Sequence, residues 1–153
     1  VFDSGGKEAL FLHEQGLSFE VVPGITAACA AAASAGRSLT TRGVSDTLVL
    51  TTGTCRDEDP LPDCARHARP GTTLALYMAV RQATRIVDGL RARGLPGAAE
   101  VTVAVEVSKP GERRFTCTLD RLAESLAAQA VTGVAVLLIT WPKVAASEVA
   151  LSA

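Results

Sequence analysis

Apolar and polar positions along the chain switch between a period of about 3.6 residues and a period of about 2, and the switches outline a series of helices and strands. Gly5 to Gln15 predicts a short helix that ends at Gly16. Phe19-Glu20-Val21-Val22 is β-prone and predicts a strand running into a Pro23-Gly24 turn, after which Thr26 caps an alanine-rich helix ending near Gly36. Arg37 to Asp46 has no apolar period and reads as a polar connector between two domains.

A second series starts at Thr47-Leu48-Val49-Leu50-Thr51-Thr52, a branched and apolar strand that stops at Gly53. Pro62 to Ala68 predicts a short helix, Thr72 to Met78 a strand, and Arg81 to Arg93 a helix with Ile86, Val87 and Leu90 on one face. Val101 to Val107 and Arg113 to Thr118, separated by Lys109-Pro110-Gly111, predict a hairpin. Asp120 to Ala130 predicts a helix, and the near-continuous apolar run Val134 to Thr140 a central strand, with a frayed tail after Pro142. Helices alternating with strands, and no repeat along the chain, imply a layered α/β architecture.

Composition narrows the function classes. With 153 residues, 48% of them hydrophobic, the chain can bury a substantial core. Its 15 basic and 16 acidic residues nearly cancel, and aromatic residues make up only 4%, which argues against nucleic acid as a partner. Ile25 to Ala35 is apolar but far short of the roughly 20 residues a membrane span needs, so no membrane association is expected. Cys29, Cys55, Cys64 and Cys117 lack paired spacing, which disfavours a zinc site or a disulfide scaffold and suggests a reducing cytoplasm. Opening on Val1-Phe2-Asp3, the chain reads as a piece of a longer protein.

The stretch Val21-Val22-Pro23-Gly24-Ile25-Thr26-Ala27-Ala28 carries the clearest chemistry. It predicts a helix amino terminus opened by small residues, where a ligand can approach backbone amides closely, although the same pattern serves a tightly packed strand-to-helix corner. This stretch resembles the VVPGITAA segment of the tetrapyrrole methylases, and within them most nearly the uroporphyrinogen-III C-methyltransferases. Phe2 with Gly5-Gly6-Lys7-Glu8-Ala9 resembles the FGRGGEE segment that follows the family's GGDP loop, and Leu39-Thr40-Thr41-Arg42 resembles its LTHRD connector. Thr52-Gly53 resembles TGH, Leu76-Tyr77-Met78-Ala79 resembles FYMG, and Val103-Ala104-Val105-Glu106 resembles the VALVE strand. Six ordered segments thus run through most of the chain.

The resemblance implies an S-adenosylmethionine-dependent methyltransferase with a cytoplasmic, homodimeric habit, S-adenosylhomocysteine as product and no metal. Its fold would be the end of a first α/β domain over 1–36, a connector over 37–46, a second α/β domain with a mixed sheet over 47–142, and a tail over 143–153. Carried over one at a time, Val1, Thr26, Ala27, Met78 and Ser108 (or its neighbour Val107) match cofactor-contacting positions. Arg42 is the candidate for a carboxylate of the tetrapyrrole, since a planar guanidinium suits bidentate carboxylate recognition. The family's acid/base groups precede Val1, so no catalytic residue is assigned.

The implied activity is C-methylation of uroporphyrinogen III for siroheme and cobalamin synthesis. A later precorrin methylase, or a non-catalytic dimerisation or binding fragment of the same fold, are the alternatives. Three departures bear on the substrate: Asp3-Ser4 stands for Gly-Arg, Thr54 for the His of TGH, and Thr140-Trp141 for the usual Gly and its neighbour. His13 and His67 are expected at the surface, Cys29 as a small buried hydrophobe and Asp57-Glu58-Asp59 in a solvated loop. Met78, absent a ligand, would be a core filler at a strand end.

Overall fold

A computed structural model of the chain describes residues 4–54 and 62–143. Helix α1 spans Ser4–Glu14 and α2 spans Ala27–Ser34, followed by strand β1 at Thr47–Thr52, helix α3 at Asp63–Arg66 and strand β2 at Thr72–Tyr77. A 3-10 turn at Val80–Gln82 leads into α4 (Ala83–Ala92), then β3 (Glu100–Val105), β4 (Arg113–Thr118), a 3-10 turn at Leu119–Arg121, α5 (Leu122–Ala128) and β5 (Ala135–Trp141). The expected hairpin is present as the antiparallel pair β3–β4, with Glu100 opposite Thr118 and Val105 opposite Arg113.

The sheet is mixed and has five strands in the order β1-β2-β5-β3-β4. Only β1 and β2 run parallel, which requires a crossover, and α3 lies within it. The apolar run near the end of the chain is indeed central: β5 pairs antiparallel with both β2 and β3. Its Leu137, Leu138 and Ile139 are wholly buried, because a strand flanked on both edges and covered on both faces has no solvent side.

The two faces of the sheet carry different side-chain sizes. On one, Leu74, Leu76, Val101, Val103, Leu137 and Ile139 meet α3, α4 and α5, with the Ile86 and Leu90 face of α4 buried among them. On the other, Ala75, Ala104, Val136 and Leu138 receive Ala28, Ala31 and Ala32 of α2. That phasing turns Cys29 outward, so it is exposed and not the buried hydrophobe expected. His13 and His67 are exposed, as the sequence suggests. Asp57-Glu58-Asp59, Cys55 and the tail from 144 onward lie outside the described residues.

Beyond α2, the same face turns polar. The Arg37 guanidinium donates to Thr102 Oγ1 (2.6 Å), to Thr140 Oγ1 (3.2 Å) and to Glu100 (3.3 Å). Thr140 is in turn 3.1 Å from Thr73, whose hydroxyl donates to the buried Ser45 (3.2 Å). The segment 37–46 is therefore anchored on the strands, and Thr140, a departure from the family pattern, supplies a hydroxyl to that anchor.

Phe19–Val22 does not form a strand. Its residues are exposed and it is bonded to no neighbouring strand, and an extended segment without a hydrogen-bonding partner gains nothing from the ladder that defines a sheet. Leu10, Phe11, Leu17, Phe19, Val21, Val22 and Ile25 together form an exposed apolar series before α2.

Two tests follow from this packing. A Cβ on Gly53 would stand 2.6 Å from Ala79 Cα and 2.8 Å from Ile86 Cδ1, against backbone and core that cannot swing away. Gly53→Ala should destabilise the fold by about 1 to 3 kcal/mol in urea unfolding, and unchanged stability would contradict the packing. At the other end of α2, Ser34 donates to Glu112, whose second carboxylate oxygen accepts the Ser108 amide (2.7 Å). These bonds, Ser34 first, hold the Glu112 carboxyl below its ordinary value of 4.5. A depressed carboxylate contributes stability above its unfolded pKa and loses it as pH falls through the folded one. The Ser108 amide resonance should therefore titrate with a midpoint below 4.5, and Glu112→Gln should abolish that titration.

Candidate functional site

A cleft opens where β2 ends and β5 begins. These strands are antiparallel, with Leu76 opposite Leu137, so the carboxy end of one and the amino end of the other share an edge of the sheet. The amino terminus of α2 arrives at the same edge. The resulting cavity, about 850 Å³, is lined by Ile25 and Thr26 just before α2, Ala27 at its start, Met78 and Arg81 after β2, and Val134 before β5, among others. Such a volume lies within the usual range of about 300 to 1,000 Å³ for small-molecule sites.

Tyr77 links these parts. Its hydroxyl accepts the Ala28 amide (2.8 Å) and lies 2.5 Å from Thr26 Oγ1. Thr26 occupies the N-cap position in extended conformation, as the sequence predicts, but makes no capping bond with its own side chain. Met78 follows at φ 52, in the left-handed region that costs a non-glycine residue roughly 1 to 2 kcal/mol. Strain of this kind concentrates at functional positions. Met78 is 58% exposed, so it fills no core; it stands in the cleft wall.

The structure thus brings together three of the sequence-derived cofactor positions, Thr26, Ala27 and Met78. Ser108 lies elsewhere: it sits in the β3–β4 turn at φ 65, tied to Glu112, and does not line the cleft. Its neighbour Val107 is half-buried against the α2 cluster. Arg42 is exposed in the short turn closed by the Thr41–Ser45 bridge, also away from the lining. Val1 lies outside the described residues.

Sequence reasoning did not single out Tyr77, Arg81, Gln82 or the segment 132–136, all of which line the cleft. Arg81 is the one charged side chain among the described lining residues. A usable signal existed for Arg81, because ligands in α/β proteins favour the carboxyl ends of strands, and Arg81 follows such an end of the predicted strand Thr72 to Met78. Thr54, where the family has His, also lines the cleft, its amide donating to Thr52 Oγ1 (3.1 Å). Among the described residues no cluster of three or more His, Cys, Asp or Glu could hold a metal, and no helix is long and apolar enough to cross a membrane.

Comparison with known proteins places this geometry in a family. The chain is 39% identical over 132 residues to siroheme synthase of Zymomonas mobilis, covering 86% of this chain and 28% of that protein. Against siroheme synthase of Gluconacetobacter diazotrophicus it is 36% identical over 140 residues, covering 91% and 30%. The chain therefore spans under a third of the length of these relatives.

Among solved structures, uroporphyrin-III C-methyl transferase from Thermus thermophilus, complexed with S-adenyl homocysteine, superposes with a TM-score of 0.73 at 32% identity, over 91% of this chain and 57% of that one. Cobalt precorrin-4 methyltransferase, a cobalamin biosynthetic enzyme, gives 0.77 at 25% identity, over 89% and 57%. The mixed five-stranded α/β fold is thus that of known tetrapyrrole methylases. The family described as Tetrapyrrole (Corrin/Porphyrin) Methylases matches residues 1–123, and the chain belongs to that family.

Proposed function

We propose that this chain forms one wall of the donor-binding cleft of an S-adenosylmethionine-dependent C-methyltransferase acting on a tetrapyrrole. The favoured reaction is conversion of uroporphyrinogen III to precorrin-2 in siroheme and cobalamin synthesis, carried out by a longer polypeptide that includes this chain. The observation that carries the reading is the meeting of Thr26, Ala27 and Met78 in a single cleft, although 51 residues separate Thr26 from Tyr77, the neighbour of Met78. A relative of the same fold is described as complexed with S-adenyl homocysteine, which supports a sulfonium donor here.

The lining suits such a ligand. Apolar side chains from Ile25, Met78 and Val134 offer surface to an aromatic base, and hydroxyl and guanidinium groups from Thr26, Thr54 and Arg81 offer polar contacts. When bound, the donor supplies an electrophilic methyl group. The part of this chain is to bind and orient it and to keep water from that wall, since near-attack positioning is worth roughly 7 to 11 kcal/mol in well-oriented reactions. Proton removal from the ring carbon is assigned, as part of this proposal, to residues elsewhere in the longer polypeptide. Ser108 and Val1 remain assigned to the donor and Arg42 to a ring carboxylate as parts of this proposal. Dimerisation through the same chain and residence in the cytoplasm belong to it as well.

The full natural polypeptide should bind S-adenosylhomocysteine in calorimetry, and the 153-residue chain alone should bind it far more weakly. Equal affinity in the two would remove the requirement for a second wall. Met78→Ala and Ala27→Leu in the full polypeptide should each weaken binding on the order of tenfold, about 1.4 kcal/mol, without unfolding the protein. Turnover assayed on uroporphyrinogen III, with product mass followed, tests the substrate; a full polypeptide that binds the donor yet leaves this porphyrinogen untouched would favour a later precorrin step.

A further inference from the structure

We propose that Tyr77 is a positioning residue for the cleft: its phenol hydroxyl, and not a side chain of the helix, caps α2 and sets where Thr26 and Ala27 stand against Met78. The inference rests on the reading of the cleft as a donor site. Its physical basis is independent of that reading.

A helix begins with amide groups that have no partner within it, and an N-cap side chain ordinarily satisfies one of them. In α2 the N-cap is Thr26, and its side chain makes no such bond. The Ala28 amide, in a residue with no exposed surface, instead donates to the Tyr77 hydroxyl, 49 positions along the chain on β2. A buried amide left without a partner is costly, so the phenol fixes the first turn of α2 to the end of β2.

The second bond follows from the first. With the phenol fixed by the Ala28 amide, its oxygen stands 2.5 Å from Thr26 Oγ1, and a hydrogen bond joins the two hydroxyls. Thr26 is thereby tied to the end of β2. Met78, held at φ 52 one residue beyond Tyr77, shares the same anchor. One aromatic side chain thus sets the separation of α2 and the end of β2 within the cleft wall that this chain contributes.

The test compares wild type, Tyr77→Phe, Thr26→Val and the double variant in the full natural polypeptide, reading amide hydrogen exchange at Ala28 and affinity for S-adenosylhomocysteine. Tyr77→Phe should speed Ala28 exchange on the order of tenfold and weaken binding about 5- to 20-fold, raising KM for the donor with kcat little changed. Thr26→Val should weaken binding and leave Ala28 exchange as it was. Because Tyr77 acts through Thr26, the double variant should bind little worse than Tyr77→Phe, whereas a merely structural tyrosine would give additive losses.

Unchanged Ala28 exchange or unchanged affinity in Tyr77→Phe, or additive losses in the double variant, would overturn the proposal. Should Tyr77→Phe fail to fold, Thr26→Val decides: full retention of affinity there overturns it. If the wild-type polypeptide itself fails to bind S-adenosylhomocysteine, the donor-site reading falls, and Ala28 exchange alone then decides whether Tyr77 holds the cleft wall.

Discussion

The two-sided pairing of β5 is the constraint on which the rest of the fold depends. This strand lies late in the described sequence yet occupies the middle of the sheet, between β2 and β3. Without it, β1–β2 and β3–β4 are separate two-stranded ribbons, each with an open edge and each too small to be stable alone. With it, both faces become continuous enough to bury helices. Deleting buried leucine side chains from such a strand typically costs 2 to 5 kcal/mol, roughly, and that exceeds anything the surface ion pairs here can return.

The unequal faces of the sheet decide where ligand chemistry can occur. Leucine, isoleucine and valine fill the face under α3, α4 and α5. The alanine-lined face draws α2 close, and the helix amino terminus reaches the edge where β2 stops and β5 starts. The cleft is a consequence of small side chains and strand direction, with Gly53 allowing Ala79 to approach the backbone beside it.

Most of the fold was legible in the sequence because its elements are set by local pattern. The strand at 47–52, the 113–118 return strand and the apolar face of α4 follow from alternation or helical spacing within a few residues of one another. Phe19–Val22 shows the limit of this reasoning, since β propensity says that a segment can pair and not that a partner edge is available. Cys29 shows another: composition placed it in an alanine helix, but burial depends on helical phase against the sheet. At the site, the motif resemblance located Thr26, Ala27 and Met78, while Tyr77 escaped because its partners are some fifty residues distant and no local rule connects a strand-end phenol to a helix cap. Arg81 carried no motif, and its significance is visible only once the cleft is assembled.

The contact between α2 and the sheet has a mechanical consequence. On the helix side the contact is made by alanine methyl groups, set against Ala75, Ala104, Val136 and Leu138 of the sheet, and alanine has no rotamers to freeze, so the interface is inexpensive to form. Polar bonds fix the ends of the helix. The tyrosine hydroxyl holds one end, and Ser34, bonded to Glu112 and approached by Arg114 at 3.2 Å, holds the other against the β3–β4 turn. The helix is pinned like a beam at its two ends, and releasing either pin frees that end while leaving the surface against which the beam lies unchanged.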